Sequence, residues 1–317
     1  MKGARRALAA GTGLASAAVA ACSLIAGIDD LPLRDAGTTD DAPADTALPD
    51  AAADVACTTD PSLGCATACA HDFCDDFDLD GQAPATKWPG TAFFGSPFTS
   101  GESTVVIGDG GRSVPAALVA ATAGDASRST YAILVKQLQR DAASPLGLFH
   151  YALDFDLGSI SFKDNRGPVP EGGAASVAAI VRPLAPTPGV AFLLSQDGLY
   201  VAASDDIVGG TGGAVVEQIY AVHITDVRGY VRVEVVVGTA ENAVAAGFDK
   251  CAGKTGAVVV GNLLSLTGAH ACIALPSKLA DLAWMDAPVI LSGALIFGPG
   301  SFDVRTDNVT ADFLPAK

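Results

Sequence analysis

Aromatic residues are scarce in this chain, at 6% of 317 residues, with two tryptophans, Trp88 and Trp284, and five tyrosines. That leaves little material for a binding surface built on rows of stacked rings. Basic residues are scarce too. Nineteen Lys and Arg stand against 35 Asp and Glu, and the formal charge of −16 repels phosphate backbones and anionic lipid heads, so nucleic acid is not an expected partner. Glutamate occurs only as Glu102, Glu171, Glu217, Glu234 and Glu241, so the acidity comes from aspartate, a residue of loops and turns. Segments of helical period are few, and the best is Pro276 to Met285, read as one short helix packed by Leu279, Leu282 and Trp284. Motifs for catalysis are missing as well. His71, His150, His223 and His270 stand isolated, with no H-x-x-H or H-E-x-x-H, and read as ordinary core or surface histidines. Ser195 and Ser292 lack a G-x-S-x-G elbow. The run Gly209-Gly210-Thr211-Gly212-Gly213 is followed by a strand pattern rather than a helix, so it reads as a flexible loop and not as a phosphate cradle.

What the chain does have begins at its N-terminus. Lys2, Arg5 and Arg6 precede an uncharged apolar run from Ala7 to Ala21, which has the layout of a secretory signal and is too short and alanine-rich for a permanent membrane helix. Val19-Ala20-Ala21-Cys22 reads as a lipobox and resembles the bacterial lipoprotein signal. That resemblance implies removal of residues 1–21, acylation of Cys22 and a durable membrane anchor. The alternative is an ordinary cleaved signal with Cys22 incidental. Ser23, in place of an aspartate, implies sorting to the outer membrane or cell surface. Residues 22–56 are rich in Ala, Asp, Pro and Thr and are expected to form a disordered tether.

Six cysteines remain after Cys22, an even number in an exported chain, which points to disulfides. Cys57, Cys65, Cys69 and Cys74 cluster in a lead-in over 57–74, where two bridges with three possible pairings are expected. A zinc knuckle of these cysteines with His71 is the alternative. Cys251 and Cys272 are expected to pair across a long hairpin.

From residue 75 to 317 strand patterns follow one another. They are Ser103–Gly108, Ala116–Thr122, Thr130–Leu138, Gly147–Ile160, Ala175–Leu184, Val190–Leu194, Leu199–Ala203, Ala214–Ile224, Tyr230–Val237, Ala257–Leu266, Val289–Phe297 and Ser301–Phe313. Asp197-Gly198 signals a hairpin. In Tyr230–Val237 (YVRVEVVV) the alternation puts Arg232 and Glu234 on a wet face and valines on a dry one. This spacing of strands with little helix implies an all-β, antiparallel sandwich or jelly roll in a single domain, with at most one or two short helices.

Asp75-Asp76-Phe77-Asp78 with Trp88 nearby, the YVRVEVVV strand, and the closing Phe302-Asp303-Val304-Arg305-Thr306-Asp307-Asn308-Val309-Thr310 together resemble the concanavalin A-like lectin/glucanase superfamily, the laminin-G-type jelly roll. The resemblance implies that the Asp-Asn-Val strand is last and pairs near the first. Hydrolases of that superfamily carry an E-x-D-x-E or E-x-D-x-x-E strand, and none occurs here. The expectation is therefore a non-catalytic surface module that binds glycan or protein, acting as a monomeric domain. A divergent glycosidase or lyase and an envelope-structural protein are the alternatives. Asp154, Asp156, Tyr230, Arg232 and Glu234 are the candidate ligand contacts. No cofactor is expected, but calcium could be held by the loop aspartates Asp197, Asp205 and Asp206, which otherwise serve as turn caps.

Overall fold

The computed structural model describes residues 71–77, 84–112, 116–124, 129–141, 145–163, 173–208, 214–264 and 269–316. The signal, Cys22, the tether, Cys57, Cys65, Cys69 and the glycine run 209–213 lie outside the described residues. The strands are β1 (Phe73–Asp75), β2 (Phe98–Thr99), β3 (Glu102–Asp109), β4 (Ala116–Gly124), β5 (Thr130–Gln137), β6 (Leu146–Phe162), β7 (Ala174–Val181) and β8 (Gly189–Ser195). There follow β9 (Gly198–Ser204), β10 (Val215–Ala221), β11 (Val231–Thr239), β12 (Ala257–Leu263), β13 (Ala269–Ala274), β14 (Val289–Phe297) and β15 (Gly300–Pro315). They form an antiparallel sandwich. One sheet runs β13-β12-β11-β6-β15-β4-β3, with β1 also on β15, and the other runs β10-β9-β8-β7-β14-β5-β2. The first strand does pair with the last, Phe73 opposite Ala311.

Alternation along β6 explains the main core. Phe149, Tyr151, Leu153 and Phe155 point between the sheets with Phe192 and Leu194 of β8 and Ile290 of β14, while His150, Ala152, Asp154 and Asp156 take the opposite side. The seven-stranded sheet does not alternate in polarity. Ala191 and Leu193 of β8, Val135 of β5 and Leu291 of β14 form a second apolar cluster on its other side, joined by Phe94 and Ile207. That sheet is apolar on both faces, so the outer face of the eight-stranded sheet carries the polar chemistry.

The motif near Trp88 closes the core from the edge. Asp75 is 1% exposed and accepts hydrogen bonds from the Trp88 indole (2.6 Å), the Phe77 amide (3.1 Å) and Lys87 Nζ (3.0 Å). Phe73 meets the Trp88 ring edge-on and Phe77 stacks parallel to it.

Several expectations are corrected. Pro276–Met285 forms no α-helix and holds only a 3-10 turn, Leu282–Asp286. Leu279 and Trp284 are nevertheless buried, and the indole donates to Leu279 O, so a turn suffices to bury them. The longer helix is Ala240–Ala245, capped by the Thr239 hydroxyl accepting from the Asn242 amide. This helix and the turn after it lie against β6, β11 and β12 through Ala240, Ala243 and Phe248. The Cys251–Cys272 disulfide is present, its ends 21 positions apart in sequence, but it does not simply close a hairpin. It fastens that excursion to β13, which the sequence reading had not placed. Cys74 is disulfide-bonded, which removes it as a zinc ligand.

Candidate ligand-binding face

Register fixes which residues share the outer face of the eight-stranded sheet. At one end Glu102, Ala123, Ser301 and Ser161 lie abreast on β3, β4, β15 and β6, and the next row is Thr104, Ala121, Asp303 and Ser159. Val106, Val119, Arg305 and Asp156 follow, and then Asp307, Asp154 and Arg232. Thr310, Ala152, Glu234, Asn262 and His270 make the fifth row, with Asp312 and His150 in the sixth.

The middle rows are a closed ionic network. Asp154 accepts from Arg112 (2.6 Å) and from Asn308 Nδ2 (2.9 Å), and Arg232 Nη1 lies 3.5 Å from it. Arg232 also donates to Asn308 O (3.0 Å) and Thr310 Oγ1 (3.1 Å). The Asp-Asn-Val motif makes this geometry. Asn308 adopts a left-handed φ of 47° at an irregularity of β15, with its amide held by Asp307 Oδ1 at 2.7 Å. Its carbonyl and side-chain amide are thereby turned onto Arg232 and Asp154. Burial lowers the pKa of the Arg232 guanidinium below the usual guanidinium range, against the pull of Asp154 and then Glu234. Tyr230 donates to Gly110 O (2.7 Å), and its phenol is pushed up to about 12 by burial and then by Asp307 and Asp156. Arg305 pairs with Asp156 at 3.4 Å.

The last rows join histidines to carboxylates. His150 Nδ1 bonds to Glu234 Oε1, whose other oxygen accepts from Asn262 (3.2 Å), and His71 Nδ1 bonds to Asp312 (2.7 Å). The four histidines are therefore not isolated, since His270 also meets Asp249 at 2.8 Å and His223 meets Thr225. Burial works against charge on His150, but attraction and a hydrogen bond to Glu234, with Asp312 adding to them, raise its pKa above 6.5 overall. Raised in the folded state, this group stabilises the fold fully below the unfolded pKa, and the contribution fades as pH rises through the folded one. His150→Gln is expected to flatten the decline in denaturation midpoint that the parent chain should show as pH rises above about 6.5. An unchanged slope would show that the pair does not contribute.

The five candidate contacts thus share one face, but not as free ligand groups. Arg232 and Glu234, expected to be wet, are each 1% exposed, and Asp154 is 2% exposed. Alternation identifies a face but not what covers it. The loop aspartates are not brought together either. Asp197 lies in the β8–β9 turn and Asp205 and Asp206 lie past the far end of β9, which is roughly 20 Å long. Asp206 caps the Thr187 amide, and Asp205 faces Lys278 at 3.6 Å. Among the described residues no group of three or more His, Cys, Asp or Glu could hold a metal.

The open part of the face is its first two rows. A groove of about 480 Å³ is lined by Glu102, Thr104, Ala121, Ser159, Ser301 and Asp303, and a second chamber of about 380 Å³ adjoins it and shares Glu102, Ala123 and Ser301. Ala121 and Ala123 form the floor on β4, with walls from β3 and β15 about 10 Å apart. Gly158 makes room for Asp303, since a Cβ there would lie 2.9 Å from its carboxylate. The sequence reading missed these residues. The alternation Ser301, Asp303, Arg305, Asp307 was its available signal.

No protein-family model matches the chain, and no curated protein matches it. Among solved structures it is similar to a candidate sugar-binding protein from Bacteroides thetaiotaomicron, at 12% identity and a TM-score of 0.31, over 71% of this chain and 91% of that one. At that level the likeness assigns nothing to particular residues.

Proposed function

We propose that this chain is an exported, lipid-anchored binding module that holds a glycan in the Ala121–Ala123 groove without cleaving it. The observation that carries the reading is the groove itself, set on the polar sheet face. An alanine floor about one sugar ring wide runs between walls bearing Thr104, Ser159 and Ser301 hydroxyls and the Glu102 and Asp303 carboxylates. Hydroxyls and carboxylates suit the dense donors and acceptors of a polyol, and the flat floor accepts the C–H face of the ring. The motif order resembling concanavalin A-like domains agrees with a sugar-binding sandwich, partly as fold-level analogy. The lipobox at Cys22 and the Asp-rich tether support display at the outer membrane or cell surface.

A glycosidase reading needs two approachable carboxyls, one held protonated. Asp154 and Glu234 are buried and paired with Arg112, Arg232 and His150, so hydrolysis would fall to Glu102 and Asp303, the two open carboxylates of the groove. The test is a polysaccharide panel with the soluble fraction sampled for products. Retention with no released oligosaccharide is expected. Release of shorter sugars would establish an enzyme, and silence on the whole panel would refute glycan binding.

A further inference from the structure

Carboxylates on this sheet face are partnered within the protein except in one place. Asp154 faces Arg112 and Arg232, Asp156 faces Arg305, Glu234 faces His150, and Asp312 faces His71. Asp307 is engaged by the Asn308 amide. Glu102 and Asp303, the two carboxylates of the groove, have no hydrogen-bond or ionic partner among the described residues. No lysine or arginine lines the larger chamber; Lys163 lines the adjoining one and is itself engaged within the protein.

We infer that the groove selects glycans bearing a free amine, an ammonium group on the ring taking the place that an internal arginine or histidine fills for the other carboxylates of the face. This rests on the glycan reading above and narrows it to a substrate class. The strands bearing the two carboxylates stand about 10 Å apart, backbone to backbone, on either side of the alanine floor. A sugar ring seated on Ala121 spans that width and can place an amine against Asp303. Uronic acids are disfavoured, because their carboxylate would enter a chamber with two unneutralised acids.

The experiment compares a glucosamine disaccharide having free amines with its N-acetylated counterpart and with a galacturonic acid disaccharide. Each is titrated calorimetrically into the full chain at about pH 6, where an ordinary amine is charged. The free amine is expected to bind about three- to ten-fold more tightly than the acetylated sugar, as a partly exposed ion pair would give, with the uronate weakest. In Asp303→Asn the ratio of amine to acetyl affinity should fall to near one, and about 0.5 M salt should reduce it in the parent. Equal affinities for amine and acetyl sugars, or a preference that appears only with added calcium, would overturn the inference and leave glycan binding standing. If no saccharide binds, the glycan reading falls and the inference falls with it.

Discussion

Replacing Asp154 with alanine is expected to destabilise the sandwich by about 3–5 kcal/mol, the cost of leaving a buried charge without its partner. Arg232 is 1% exposed, so water cannot take over what Asp154 provides. Its contacts to Asn308 O and Thr310 would remain, as would the attraction of Glu234, but the Asp154 charge 3.5 Å away would be gone. Asn308 would also lose the acceptor for its side-chain amide, at the one left-handed position of β15. The reciprocal change, Arg232→Met, strands Asp154 less severely, because Arg112 still reaches it from a half-exposed position. Removing both charges, as Asp154→Leu with Arg232→Met, should recover most of the loss, since an apolar pair of similar volume has neither charge to desolvate. Urea denaturation of the single and double variants measures this directly. An Asp154→Ala cost below about 1 kcal/mol would show that the network is solvated and not closed.

Asp75→Ala is expected to cost a similar amount, about 3–5 kcal/mol, by a different route. The carboxylate is the acceptor for the Trp88 indole and for the Phe77 amide, both on residues that are 0% exposed. Truncation leaves two buried donors unsatisfied and opens space beside the Trp88 ring, each a cost of about 1–3 kcal/mol. Phe77 holds a positive φ of 58°, a conformation uncommon for an aromatic residue, and the bond from its amide to Asp75 supports that turn. Trp88→Phe, which loses the indole N–H but keeps an aromatic ring against Phe73 and Phe77, should be milder. If Asp75→Ala and Trp88→Phe cost the same, the carboxylate is not the pin of this corner.

These two networks show how the sequence could be read and where reading stopped. Asp75, Phe77 and Trp88, like Asp307, Asn308 and Val309, stood out as short motifs, and both proved to build the frame. Most strands were legible because apolar residues alternate or run continuously between turn residues, as in β6 and β14. β13, with the sequence AHACIA, was missed because alanine, histidine and cysteine carry little strand preference. Pro276–Met285 has helical spacing, yet its leucine and tryptophan are buried from a turn, so spacing alone misled. The groove was not legible because its floor and walls come from β3, β4, β15 and β6, and only register brings Thr104, Ala121 and Asp303 abreast. Arg112, far in sequence from Asp154, was invisible for the same reason.

The most direct test of a ligand groove on this face is the Ala121→Phe variant, titrated beside the parent chain with whichever saccharide the panel retains. Ala121 points outward on β4, so the ring should leave folding within about 0.5 kcal/mol while filling the floor. The expected result is a loss of affinity of at least about ten-fold, or 1.4 kcal/mol, with the denaturation midpoint unchanged. Unaltered affinity in a folded Ala121→Phe protein would contradict the account and place the ligand elsewhere on the molecule.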